Sequence, residues 1–130
     1  MKKFVASLAI VLFSAVAFAQ DNMAFQAKIE NKNGDVLYMK DETGKTVQEI
    51  KLNKKGMFQA QFEIKEGMYQ LFDGAEYAML FLKNGFDLTM TMDASQFDET
   101  IKFEGKGSKE NNFLAAETLE EEKAGYDKMM

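Results

Sequence analysis

The sequence of 130 residues contains no Cys, His, Pro or Trp, and all 16 of its basic residues are Lys. Without Cys and His the chain offers no disulfide, no thiolate nucleophile, no usual zinc ligand set and no Ser-His-Asp triad. It carries 21 acidic residues and a formal charge of −5, whereas nucleic-acid binding depends on positive charge that neutralises phosphates. We therefore expect a protein that is not an enzyme, needs no cofactor and does not bind nucleic acid.

The first 19 residues have the pattern of a secretory signal peptide. Lys2 and Lys3 are basic, residues 4–19 contain no charge, and small residues precede Gln20, so we expect cleavage after Ala19. A membrane anchor is the disfavoured alternative, because about 20 apolar residues are needed to span a bilayer and no basic cluster follows. The sequence therefore predicts an exported, periplasmic chain with no stable membrane anchor after cleavage. Loss of Lys2 and Lys3 takes its net charge from −5 to −7.

Residues 20–107 alternate between apolar and polar side chains and are punctuated by Gly, which is typical of β-strands. The strand-like segments are 25–29, 36–40, 46–52, 58–64, 68–72, 77–82, 86–92 and 101–104. Their number and spacing predict a mainly β domain, an antiparallel β-sandwich or open barrel of about 7–8 strands. Parallel pairing is disfavoured because no helix separates the strands.

Local patterns add detail to this prediction. Asn33-Gly34 and Asn84-Gly85 predict tight hairpins, because both residue types tolerate the positive φ that such turns need. Thr43-Gly44 and Asp73-Gly74 mark two further turns. Segment 77–82 is apolar without alternation, which predicts a central strand covered on both faces.

Residues 108–130 have a helical composition and predict one C-terminal α-helix or the start of a linker. Ser108 suits the N-cap position, and Glu110 in the first turn favours the helix dipole. A narrow apolar stripe is formed by Ala115, Leu119, Tyr126 and Met130. This stripe needs a partner surface, either the β domain or something beyond the helix.

Few motifs point to chemistry. Gly105-Lys106-Gly107-Ser108 shares residue types with a nucleotide phosphate loop, but the order is wrong and the loop is too short. A glycine turn that leads into a helix is the favoured interpretation. The carboxylates form no pair that its surroundings set apart, so glycosidase chemistry is disfavoured.

Methionines are frequent in the strands and allow two interpretations. The set comprises Met39, Met57, Met68, Met79, Met90 and Met92. Soft copper ligation would use such side chains, but their alternation along strands favours packing in the core. A flexible surface rich in Met and Phe that docks a partner is the one functional use that this pattern supports.

Several runs of residues, in their order along the chain, carry a resemblance to a known domain family. They are Val36-Leu37-Tyr38, Lys55-Gly56-Met57-Phe58, Glu66-Gly67-Met68-Tyr69-Gln70-Leu71, Leu80-Phe81-Leu82-Lys83-Asn84-Gly85 and the stretch Gly-Lys-Gly-Ser-x-Glu-Asn-x-Phe-Leu at 105–114. Because of these runs, residues 25–114 resemble the β-rich domain of unknown function that precedes thioredoxin-like (TlpA/AhpC-TSA type) domains in exported proteins of one group of Gram-negative bacteria.

That resemblance implies an antiparallel β domain, a helical linker and then a thioredoxin fold whose Cys-x-x-Cys pair exchanges disulfides in the periplasm. No redox residue transfers to this chain, because it has no Cys. We expect either a stand-alone accessory domain or a piece of a longer protein.

The expected function is that of a non-catalytic accessory or interaction domain, with a thioredoxin-like domain as its partner in cis or in trans. The candidate docking residues are Phe113, Leu114, Leu119 and Tyr126. A sandwich that binds a small ligand or glycan is the alternative, with its site among Phe58, Phe62, Phe81 and Phe86.

Overall fold

The computed structural model describes residues 21–129 and the side chains of residues 21–123, so the predicted signal peptide lies outside the described residues. The strands are β1 Met23–Glu30, β2 Val36–Lys40, β3 Thr46–Lys51, β4 Phe58–Phe62, β5 Gly67–Phe72, β6 Tyr77–Leu82, β7 Asp87–Asp93 and β8 Lys102–Lys106. A 3₁₀ turn Ala94–Gln96 and helix α1 Phe97–Thr100 separate β7 from β8, and the C-terminal helix α2 spans Ser108–Met129. The predicted fold class is confirmed.

The strands form two four-stranded sheets, which makes the fold a sandwich. The first sheet has the order β4-β1-β7-β8 and the second the order β3-β2-β5-β6. Most neighbouring strands are antiparallel, but β1 and β7 pair in parallel from Ala24↔Asp87 to Glu30↔Asp93. The expectation of purely antiparallel pairing is wrong here. The whole second sheet lies between β1 and β7 in the chain, and it supplies the long crossover that parallel pairing requires.

Two of the predicted hairpins are connections between sheets. β1 and β2 belong to different sheets, and so do β6 and β7. Asn33-Gly34 and Asn84-Gly85 therefore do not close hairpins, although Gly85 has the expected positive φ of 96°. True hairpins form at Thr43-Gly44 between β2 and β3 and at Asp73-Gly74 between β5 and β6. Turn chemistry is local, so it does not determine which sheet the next strand joins.

The core lies between the inner faces of the two sheets. Its largest fully buried apolar side chains are Met23, Phe25, Leu37, Met39, Ile50, Phe58, Leu71, Leu80, Leu82, Leu88 and Met90. Burial of a large apolar side chain contributes about 1.5–3 kcal/mol relative to its exposure. A core of this size explains how the domain holds together without a disulfide.

Strand β6 differs from its prediction as a central strand. It lies at the end of the second sheet and pairs with β5 on one side. Leu80 and Leu82 point into the core and are fully buried, whereas Tyr77 and Met79 are 57% and 40% exposed. The run of apolar residues therefore does not indicate cover on both faces. It marks a strand whose outer face is apolar and open to solvent.

Candidate interaction surface

The outer face of the second sheet is rich in aromatic and Met side chains. Successive residues of a strand point to opposite faces, and Tyr69 and Leu71 of β5 point inward. Met68, Gln70 and Phe72 therefore point outward, as do their cross-strand partners on β6 and Tyr38, the neighbour of Phe72 on β2. We call the apolar members of this set the apolar face: Tyr38, Met68, Phe72, Tyr77, Met79 and Phe81.

Members of the apolar face pair across the strands, and the polar Gln70 lies among them opposite Met79. Met68 lies opposite Phe81, and Phe72 lies opposite Tyr77. The rings of Tyr38 and Phe72 are 6.4 Å apart between centroids. Charged residues border the set: Glu49 lies opposite Tyr38, and Lys40 Nζ lies 4.6 Å from the centroid of the Phe72 ring.

The outer face of the first sheet is polar, in contrast. Its outward residues include Gln26, Lys28, Glu30, Gln59, Gln61, Thr89, Thr91, Lys102 and Glu104. Gln26 Nε2 donates to Asp87 Oδ1 at 3.0 Å and to Thr89 Oγ1 at 2.9 Å. The two outer faces of the sandwich thus differ in character, and only the second sheet presents an apolar one.

Helix α2 extends the apolar face with a groove. Met68 and Phe81 form one side, and Lys109, Phe113 and Leu114 form part of the other, around a volume of about 570 Å³. Phe113 is 66% exposed, more than any other large apolar side chain in the part of the chain that the structure describes. The groove and the apolar face together make one contiguous surface.

Two adjacent asparagines hold α2 against both sheets. Asn111 Oδ1 accepts from Phe81 N at 2.8 Å, and its Nδ2 donates to Phe81 O at 2.9 Å and to Gly107 O at 2.8 Å. Asn112 Oδ1 accepts from Phe103 N, and its Nδ2 donates to Phe103 O, both at 2.9 Å. Phe81 lies on β6 and Phe103 on β8, so each side-chain amide occupies the place of a neighbouring strand. We call this pair the edge clamp.

The backbone conformation and the close neighbours at both glycine positions of the Gly-Lys-Gly-Ser run explain why glycine is needed there. Gly105 has φ +89°, and a Cβ built on it would lie 2.2 Å from Asp87 O. Gly107 has φ +100°, and its Cβ would lie 2.4 Å from the ring of Phe86. Gly107 O accepts the first helical hydrogen bond, from Asn111 N, so Gly107 and not Ser108 occupies the cap position. These observations agree with a glycine turn that leads into a helix.

The predicted docking residues are only partly brought together. Phe113 and Leu114 line the groove. Leu119 is half-buried more than a helical turn further along, and Tyr126 lies in α2 beyond the side chains that the structure describes. The four predicted docking residues include none of the apolar face. Met68 and Met79 belong to the methionine set, and Phe81 belongs to the alternative ligand site. The absence of alternation in segment 77–82 is a signal that identifies half of the apolar face.

The methionine set divides between the core and the surface. Met39 and Met90 are fully buried and Met92 is 5% exposed. Met57 and Met68 are half-buried, and Met79 is exposed. Among the described residues, no group of three or more His, Cys, Asp or Glu side chains is placed to hold a metal ion.

The phenylalanines of the alternative ligand site do not gather around one pocket. Phe58 and Phe86 belong to the packed core, at 1% and 6% exposure. Phe62 packs on the same core from β4, next to Met23 of β1. Phe81 points outward into the groove, and its ring meets Phe86 edge-on at 6.0 Å between centroids.

Carboxylates gather where α2 passes α1. A hydrogen bond to Asp98, together with the charges of Asp98, Glu99 and Glu76, raises the pKa of Glu122 to about 7. Elsewhere, hydrogen bonds from Thr43 and from the backbone lower the pKa of Asp41, and those from Asn31 and Ser95 lower the pKa of Asp93.

No family model, no curated protein and no solved structure matches this chain. Within residues 21–129, no helix combines the length and the apolar character that crossing a bilayer requires.

Proposed function

We propose that this chain is a non-catalytic, exported interaction domain that docks a thioredoxin-like domain in the periplasm. The observation that carries the proposal is the apolar face of the second sheet, with the groove against α2. The partner supplies the thiol chemistry, since this chain has no Cys.

The character of the surface supports an interface. Aromatic residues and Met are enriched at protein interfaces, where they provide large contact areas and adapt to a partner. Tyr77 and Phe113 are 57% and 66% exposed, although burial of either in an interface would remove a large apolar area from water. Charged groups lie at the border of the surface, at Lys40 and Lys109, as is usual for the rim of an interface.

The choice of partner rests on the sequence resemblance. Residues 25–114 contain the runs that resemble the domain preceding thioredoxin-like domains, and this range ends at the groove residues Phe113 and Leu114. Gly107 and both asparagines of the most specific run fix α2 to the sandwich, and Gly105 allows the close approach of β8 to β7. The run that carries the resemblance is thus the one that builds the groove.

Point substitutions test this proposal better than removal of α2, because deletion from residue 110 onward would also remove the edge clamp. We expect Tyr77→Asp with Phe113→Asp to weaken binding of a purified periplasmic Cys-x-x-Cys thioredoxin-like domain. Each substitution of an interface anchor costs about 1–2 kcal/mol, so the pair should raise the dissociation constant roughly 30-fold or more.

The matched control places the same two charges on the polar sheet. Gln59→Asp with Thr91→Asp alters exposed residues of β4 and β7 and should leave the affinity within about twofold of the unaltered protein. Isothermal titration calorimetry gives both constants. Equal affinities for the two double variants, or no binding by the unaltered protein, would contradict the proposal.

A further inference from the structure

Both sheets end on the same side of the sandwich, and α2 lies over both ends. The second sheet ends there with β6 and the first with β8. Asn111 bonds to the backbone of β6 and Asn112 to that of β8. A strand at the end of a sheet presents backbone N–H and C=O groups that can pair with a strand of another chain.

The hydrogen bonds of Asn111 show which backbone groups of β6 point outward. Both the N–H and the C=O of Phe81 bond to its side chain, so they point away from β5. In an antiparallel strand this direction repeats every second residue. The N–H and C=O groups of Met79 and Tyr77 therefore point to the same side, while the amide of Asn111 reaches Phe81.

The two strands beneath the edge clamp, β6 and β8, differ in whether their own sequences oppose pairing with a strand of another chain. β8 has the sequence Lys-Phe-Glu-Gly-Lys, and charged residues on an edge strand oppose pairing with other chains. β6 has the sequence Tyr-Ala-Met-Leu-Phe-Leu, without a charge or a Pro. Its edge therefore depends on α2 for protection, whereas that of β8 does not.

We infer that α2 guards the edge of β6, and that β6 pairs antiparallel with β6 of a second copy of this chain when α2 moves away. A second copy fits because antiparallel pairing about a two-fold axis sets the same apolar strand against itself. It would also join two apolar faces, since Tyr77 and Met79 of each copy would meet across the axis. This inference is independent of the thioredoxin-like partner.

The edge clamp can be removed without weakening the helix that carries it. Asn111→Ala with Asn112→Ala deletes every hydrogen bond from these side chains, while Ala favours a helix more than Asn does. We expect the amides of Phe81 and Phe103 to exchange with solvent at least about tenfold faster, because each of these residues loses two hydrogen bonds to a side-chain amide. The double variant should also form dimers, measured by light scattering, at concentrations where the unaltered protein is monomeric.

The matched control is Glu117→Ala with Glu120→Ala, two exposed positions of the same helix, which should remain monomeric. Adding Met79→Lys to the Asn variant should restore the monomer, since a charge on the strand opposes pairing. A monomeric Asn variant with fast exchange at Phe81 would overturn the inference. So would unchanged exchange at Phe81, or a dimer that Met79→Lys leaves intact.

A second route avoids the asparagines if their loss prevents folding. Ala115 packs on the core from the middle of α2, so Ala115→Lys should lift the helix while leaving both sheets unaltered. The same exchange and light-scattering results are expected. If neither variant unfolds cooperatively, α2 is part of the folding unit and not a detachable guard, which also overturns the inference.

Discussion

Replacement of Gly105 by Ala measures how closely β8 and β7 approach at the base of α2. Gly105 lies opposite Leu88 in the register of these strands. A Cβ at this position would lie 2.2 Å from Asp87 O, well inside the 3.0 Å below which such contacts essentially never occur. Because the clashing atom belongs to the backbone, no side-chain rotation can relieve the contact, and β8 has to move away from β7.

Gly44 provides an internal reference for the backbone conformation. It has φ +88°, nearly the value of +89° at Gly105, but nothing lies within 4 Å of its Cβ position. An Ala at such a positive φ costs about 1–2 kcal/mol at either site. At Gly105 the displaced strand loses in addition about two backbone hydrogen bonds, each contributing about 1 kcal/mol. We therefore expect a loss of about 1–2 kcal/mol for Gly44→Ala and about 3–4 kcal/mol for Gly105→Ala.

Urea unfolding followed by circular dichroism gives both values from midpoints and slopes. Because the two substitutions share the same φ, their difference isolates the cost of the close approach. Equal destabilisation within about 0.5 kcal/mol, a difference that extrapolation cannot resolve, would refute the assigned contact between β8 and β7.

Three further predictions concern pH, a buried turn residue and the groove. The proton that Glu122 retains up to about pH 7 is lost in the unfolded chain near pH 4.5, so stability should fall as the pH rises between these values. The thermal midpoint of Glu122→Gln should fall less across that window, and equal slopes would contradict the assignment. Asp73 is buried and accepts hydrogen bonds from Asn33 Nδ2, Ala75 N and Glu76 N. Asp73→Ala should therefore lower the free energy of unfolding by about 2–3 kcal/mol in urea titrations, and a loss below about 0.5 kcal/mol would speak against these bonds. Phe113→Ser should leave unfolding unchanged within about 0.5 kcal/mol, because the side chain is 66% exposed, and a larger loss would show that it supports the fold.

Each of the eight strands overlaps a strand-like segment of the sequence, and apolar and polar residues alternate in most of these segments, though not in 77–82. Phe25, Ala27 and Met23 share one face of β1, and all three are fully buried. The pattern records which side chains point to the core, because one residue of shift would expose them. It contains no information about the neighbouring strand, so the parallel pairing of β1 with β7 was not predictable from it.

The candidate surface was harder to predict than the strands, because the sequence pattern of a strand also does not show what covers its outer face. An apolar run such as 77–82 has the same appearance whether a second layer or solvent covers its outer face. The prediction of a central strand assumed that a second layer covers the outer face. Because β6 lies at an edge of its sheet, the apolar run instead marks an outer face that is open to solvent. Phe113 and Leu114 were predicted from their own run, but their neighbours Met68 and Phe81 come from distant parts of the chain.

The edge clamp could not be recognised from sequence. Asn is a common residue of turns and caps, where its side chain bonds to nearby backbone. Asn111 instead bonds to Phe81, 30 residues away, and Asn112 to Phe103. Only the position of α2 relative to both sheets shows that the two amides complete the sheet edges.

Oxidative footprinting with hydroxyl radicals tests the proposed interface most directly, because Met and aromatic side chains are reactive and their oxidation reports exposure. In the free protein, Met79, Tyr77 and Phe113 should be oxidised, whereas the buried Met39 and Met90 should not. Binding of a periplasmic thioredoxin-like domain should protect the three exposed residues. Unchanged oxidation of Met79, Tyr77 and Phe113 in a complex that demonstrably forms would contradict the account.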